Sequence, residues 1–171
     1  FRRDVVKREY SNKEAVRCLK IVSDSGVPFQ VNNIIGFPDE TRELAFDTIE
    51  INREFNADTV MCSVFVPFHG TDLRKYAEEK GYIEPGQICS VHNAGGESML
   101  TMPQWEKEDM LRFREVFAMY VKFPKSRWPE IKKAETDPEL HHKLSEEFVE
   151  MCWSNPRARI EDSLAKAAKG I

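Results

Sequence analysis

Four cysteines and four histidines are the residues most able to bind a metal or an iron–sulfur cluster, and their spacing limits what they can do. Cys18, Cys62, Cys89 and Cys152 stand 44, 27 and 63 positions apart. No pair has the close spacing of a zinc knuckle, a redox dithiol or a cluster loop, and scattered single thiols fit a reducing cytoplasm. Cys62 lies in an apolar run and reads as a small buried hydrophobe. Cys89 and His92 have a plausible metal spacing, yet no second ligand pair stands near them to complete four-coordinate zinc. His141 and His142 are adjacent, so on a helix they point about 100° apart and cannot chelate from one face. Solvated surface is expected for both. Phe113, Phe117, Tyr120, Phe123 and Trp128 could stack a base or a flat cofactor, but burial alone produces their helical period, and a core stripe is expected. No Ser-His-Asp, HExxH or phosphate-loop pattern is present.

Two strand ends carry more promise. Asn32-Asn33-Ile34-Ile35-Gly36-Phe37-Pro38-Asp39-Glu40-Thr41 and Ser63-Val64-Phe65-Val66-Pro67-Phe68-His69-Gly70-Thr71 each place Gly and Pro after an apolar run. In α/β architectures ligands bind at the carboxyl ends of parallel strands, and Gly there lets a backbone approach a ligand closely. Plain turn chemistry accounts for the same residues: Pro38 stops the strand, and Asp39 or Thr41 caps the next helix. Both accounts stand on the residues alone.

The elements that must position these ends follow from periodicity. Ser11 and Glu14 form a capping-box signature, and Ala15, Val16, Leu19 and Val22 make one apolar face of a helix that ends at Ser25-Gly26. A strand is expected over 29–35. From about Thr41 a helix carries the stripe Leu44, Thr48, Ile51 and Phe55, flanked by Ala45 and Ile49. A second strand covers 59–66, closed by Pro67, and a short helix after Thr71 ends at Lys80-Gly81. Strands alternating with helices mean parallel βα units. Two such strands leave edges open, so further strands are expected from elsewhere in the polypeptide or from another chain. Residues 82–104 lack a regular period, a helix returns over 105–123, Trp128-Pro129 starts a short segment, and two further helices are expected over roughly 138–153 and 156–168.

Composition bounds the function. The 171 residues carry 25 Lys+Arg against 29 Asp+Glu, a net charge of −4, so no basic surplus exists to drive nucleic-acid binding. Mean hydropathy is −0.52, and no apolar run approaches the ~18 residues of a membrane span. The chain opens on Phe1-Arg2-Arg3-Asp4 without an apolar signal segment, and its true start is expected upstream.

From about Phe1 to Ile83 the sequence resembles the later half of the radical S-adenosylmethionine (radical SAM) barrel, most closely in members with an amino-terminal cobalamin-binding domain. Ile34-Ile35-Gly36-Phe37-Pro38-Asp39-Glu40-Thr41 is similar to the family's adenine-side strand motif, Ile-x-Gly-x-Pro-Gly-Glu-Thr. Pro67-Phe68-His69-Gly70-Thr71 is similar to the Pro-x-Pro-Gly-Thr that follows the next strand. The opening Phe1 to Arg8 resembles the helix after the ribose-contacting strand, and the Tyr120 to Pro129 region resembles extensions downstream of such barrels. Asp39 replaces the motif's Gly and His69 its Pro. The three-cysteine cluster loop, the earlier barrel strands and any cobalamin-binding His motif are not in this chain.

The resemblance implies an α/β fold: the carboxyl-terminal part of a parallel, partial TIM-type barrel over 1–83, a loop or lid over 84–104, and a helical extension over 105–171. It implies a cytoplasmic enzyme that uses SAM and a 4Fe–4S cluster, with cobalamin in the subclass it most resembles. The cluster donates an electron to SAM, and the resulting 5′-deoxyadenosyl radical attacks a small-molecule substrate. The upstream half of the polypeptide is the implied partner, and this chain alone is expected to be inactive and to bind no cluster. Carried over by motif, Ile34 and Gly36 lie at the adenine contact, and Val66, Pro67 and Phe68 at the neighbouring backbone contact. Strand alternation adds Asn32 and Gln30 to the lumen beside Ile34, with Met61, Ser63 and Phe65 opposite, and turns Val60, Cys62, Val64 and Val66 toward the outer helices. A non-catalytic, degenerate binding module and a methylthiotransferase-like relative without cobalamin are the alternatives.

Overall fold

Ser11 opens the first helix, α1 (Asn12–Asp24), with a full capping box: its hydroxyl accepts from the Glu14 amide at 3.2 Å, and the Glu14 carboxylate accepts from the Ser11 amide at 2.7 Å. The computed structural model describes residues 3–89, 96 and 98–153. His92 and the helix expected near 156–168 lie outside the described residues. After α1 come β1 (Gln30–Ile35), α2 (Arg42–Arg53), β2 (Thr59–Val64), α3 (Asp72–Glu79), α4 (Lys107–Lys122), a 3-10 turn (Lys125–Arg127), α5 (Trp128–Ala134) and α6 (Pro138–Trp153). Of the two residues expected to cap α2, Thr41 rather than Asp39 does so, and Thr71 caps α3: each hydroxyl accepts from the amide three residues on, at 3.4 Å and 3.2 Å.

The fold is α/β, built on one parallel β1–α2–β2 unit. β1 and β2 pair from Gln30 with Thr59 to Ile35 with Val64. The backbone groups of Asp58 and Phe29 set this register, with the Asp58 amide donating to the Phe29 carbonyl at 3.0 Å and the Asp58 carboxylate accepting from the Phe29 amide at 3.0 Å. Among the described residues the sheet has these two strands, so no barrel wall is seen. One face, with Val31, Asn33 and Ile35 opposite Val60, Cys62 and Val64, turns toward the helices. A buried amide pair joins it to α2: Asn52 Nδ2 donates to Asn33 Oδ1 at 2.8 Å, and Asn33 Nδ2 donates back at 3.3 Å.

α4 packs on both β2 and α2 and contributes Met110, Phe113, Phe117 and Tyr120 to the same core. Ahead of α4, Met99, Leu100, Met102 and Trp105 are buried in it too. The aromatic stripe of α4 is a core stripe, as its period requires, with Phe46 of α2 set edge-on to Phe113 at 5.1 Å. On α2 the buried face is Ala45, Ile49 and Asn52, whereas Leu44, Thr48 and Ile51 are half-buried along a cleft. No helix among the described residues is long and apolar enough to cross a membrane.

Candidate functional site

The loop after β1 is fixed from every side. Gly36 takes φ +79°, and a Cβ there would lie 3.2 Å from Met110 Cε and closer still to Met110 Sδ. Its close approach is therefore to α4, not to open space left for a ligand. Asp39 takes φ +65°, a left-handed conformation that Asp tolerates better than most residues. Its carboxylate is anchored by the Tyr76 hydroxyl and by the Tyr82 hydroxyl at 2.6 Å. Those two bonds hold the Asp39 carboxyl below its ordinary range, and the Asp39 bond pushes the Tyr82 phenol up to about 12.

Glu40 was not among the expected site residues. It is 3% exposed, and its Oε2 accepts from the Gly36 amide at 2.5 Å and the Phe37 amide at 3.0 Å. Burial pushes its carboxyl up to about 7, against the opposing pull of those amides. Gln104 Nε2 donates to the Glu40 carbonyl at 3.3 Å. The available signal was a second acidic residue beside Asp39, four positions after a strand-end Gly.

The loop after β2 is tied to the first by Phe37 and Phe65, whose rings lie 4.9 Å apart. Phe65 is buried rather than lining an open face, because strand alternation ends at Val64. Arg74 of α3, 2% exposed, reaches the carbonyls of Gln87 at 3.0 Å and Pro67 at 3.4 Å and the Cys89 thiol at 3.2 Å. Val66 and Pro67 are thus buried in a fixed turn, while Phe68 is 43% exposed.

The other sheet face is open. Ile34 is 43% exposed and Met61 50%, beside exposed Asn32 and Gln30 and half-buried Ser63. Asn32 and Ile34 also line a cleft of about 620 Å³ along the free edge of β1, walled by Ala15 and Leu19 of α1, Leu44, Thr48 and Ile51 of α2, and Glu40. Of the six expected site residues, Asn32 and Ile34 meet at this cleft, Phe68 is exposed at the second strand end, and Gly36, Val66 and Pro67 are buried backbone supports.

The cysteines lie on separate elements: Cys18 on α1, Cys62 on β2, Cys89 in the loop after α3 and Cys152 on α6. Among the described residues no group of three potential ligands could hold a metal ion. Burial, and then the Glu40 charge, push the Cys62 thiol above its ordinary range, which suits a packed hydrophobe. His142 is exposed, with Glu146 3.6 Å away, but His141 is half-buried with Nε2 lacking a hydrogen-bond partner among the described residues. Its neighbour Leu144 lies in the core, and that position turns His141 partly inward. Comparison with protein-family models, curated proteins and solved structures finds no match for this chain.

Proposed function

We propose that this chain is the carboxyl-terminal part of a radical SAM enzyme, with β1 and β2 as two late strands of a partial TIM-type barrel and their carboxyl ends on the nucleoside side of the cofactor. The observation that carries the reading is Asp39: the one residue at odds with the strand motif adopts the left-handed backbone that the motif's Gly supplies. The open cleft adds support. It runs along the unpaired edge of β1 with α1 on its far side, where a preceding βα unit would place its strand.

SAM fits the residues at these strand ends in one respect, an exposed apolar contact at Ile34 beside the amide of Asn32. Bound SAM would supply the adenosyl group for radical chemistry, while this chain's Ile34, Asn32 and Phe68 would contribute walls and exclude water. The 4Fe–4S cluster does not fit this chain, whose thiols sit on four separate elements. No residue here bears on cobalamin.

The test is calorimetric titration of SAM into the intact polypeptide. Ile34→Asp puts a charge on the apolar contact, and the expected outcome is at least tenfold weaker binding, about 1.4 kcal/mol, in a variant that stays folded. Unchanged affinity removes this strand end from the cofactor site.

A further inference from the structure

We propose that Glu40 is the anionic end of a binding site for a guanidinium group that enters through the cleft beside β1. The Gly36 and Phe37 amides both donate to Oε2, at 2.5 Å and 3.0 Å, an arrangement that favours the carboxylate. Oε1 has no hydrogen-bond partner among the described residues, yet it is not sealed from solvent, because Glu40 lines the cleft. The residue is 3% exposed, and no cation stands within ion-pair distance of it among the described residues.

The other buried charged side chains among the described residues have their partners. Glu135 accepts from Arg42 and Lys132, and Arg74 donates to Glu78 at 2.5 Å. A carboxylate withdrawn from water without a cation is costly, and Glu40 alone is left in that position, at a place where the cleft admits one. The neighbouring cations are engaged elsewhere. Arg3 and Arg8 line the same cleft but are exposed, the first paired with Asp4 at 3.3 Å and the second donating to the Tyr10 hydroxyl at 3.2 Å. Arg42 is held by Asp109 and Glu135, and Arg114 of α4 pairs with Glu115 at 3.8 Å.

Two features of the cleft select the cation. Asp4, Glu9, Glu40 and Asp47 line it against Arg3 and Arg8, so the balance of charge favours a positive group. Phe37 lines it as well, its ring 4.9 Å from that of Phe65. A guanidinium is planar and weakly hydrated, so it can lie on an aromatic face while donating to a carboxylate, whereas an ammonium gives up more hydration. The fold already uses that arrangement once: Arg42 donates to buried Glu135 and lies over the Phe113 ring at 4.6 Å. A free guanidino compound and an arginine of the segment that covers β1 would present the same group; the second source rests on the radical SAM reading.

Titration of the dilute 171-residue chain with n-butylguanidinium, followed by NMR of the Gly36 and Phe37 amides, tests the site, with n-butylurea as a neutral probe of the same shape. The pH is set at about 8, above the value of about 7 to which burial pushes Glu40. The expected result is a saturable shift of both amides, with binding weaker by about tenfold or more for n-butylurea and in Glu40→Gln. No saturable shift with n-butylguanidinium, or equal binding by n-butylurea or by folded Glu40→Gln, overturns the site. Should Glu40→Gln fail to fold, the two probes compared in the wild type decide alone. The same titration of the intact polypeptide assigns the source: binding retained points to a free guanidino compound, and binding lost points to an arginine of the polypeptide itself. A guanidinium site in a polypeptide that does not bind SAM would defeat the radical SAM reading alone, and SAM binding without the site would defeat the site alone.

Discussion

At Gly36 two constraints coincide, and neither needs a ligand. Its φ of +79° disfavours any side chain, and Met110 occupies the space a Cβ would fill. Gly36→Ala is therefore expected to cost about 1–3 kcal/mol in chemical denaturation. Met110→Ala made in the same chain should remove the steric share and leave the share due to φ, so the two substitutions should show favourable coupling. A cost under half a kilocalorie for Gly36→Ala would show that the backbone there is easily relaxed. Asp39 offers a second test through Tyr82, whose phenol is expected to titrate at about 12 by ultraviolet absorbance and to fall toward the ordinary 10 in Asp39→Asn. This raised value makes the folded state hold its proton longer, so the contribution is present below 10 and is lost as the pH rises from 10 to about 12. The residue types at both positions were legible in the sequence, but the reason for Gly36 was not: Met110 is seventy-four positions away, and nothing local announces it.

Between elements, Glu135 is the joint. It lies at the carboxyl end of α5 with its side chain 1% exposed, and accepts from Arg42 of α2 at 2.5 Å, Tyr120 of α4 at 2.7 Å and Lys132 at 2.7 Å. Arg42 in turn lies over the Phe113 ring at 4.6 Å. Glu135→Ala leaves a half-buried guanidinium and a buried phenol without their acceptor, and a loss of about 3–5 kcal/mol is expected in urea unfolding. A loss below 1 kcal/mol would mean that the network relaxes onto water. Helix boundaries and several caps were legible because they are local: Ser11 with Glu14, Thr41 and Gly26 carry their own signals within four residues. Which face of α2 is buried was not. Leu44, Thr48, Ile51 and Phe55 look like the core stripe by period, yet the first three border a cleft while Ala45 and Ile49 are enclosed. Small Ala45 permits close approach of packed neighbours, a tertiary fact that periodicity alone does not rank. The same limit applied to α4, whose place in the core of the βα unit follows from contacts with β2 and α2 rather than from its own sequence.

At the scale of the whole molecule, the described residues cover one face of the sheet and leave the other exposed. α4 packs on one face of the sheet, with α2 and α5 packed on α4, while the other face exposes Ile34 and Met61, and the edge of β1, unpaired among the described residues, borders the cleft. An unpaired edge with apolar residues beside it templates association, so sedimentation of the chain is expected to show concentration-dependent self-association that Ile34→Lys reduces. A monodisperse monomer with a sharp thermal transition would contradict this. The parallel unit and its order were legible from strands alternating with helices, and the open edge follows from there being two strands among the described residues; what covers that edge was read only from the radical SAM resemblance. The most direct measurement is therefore chemical. The intact polypeptide that contains this chain, reconstituted with iron and sulfide, reduced and supplied with SAM, is assayed for 5′-deoxyadenosine. The account predicts its formation, with Ile34→Asp lowering the yield at subsaturating SAM. A folded, reconstituted protein that neither binds SAM nor releases 5′-deoxyadenosine would contradict it.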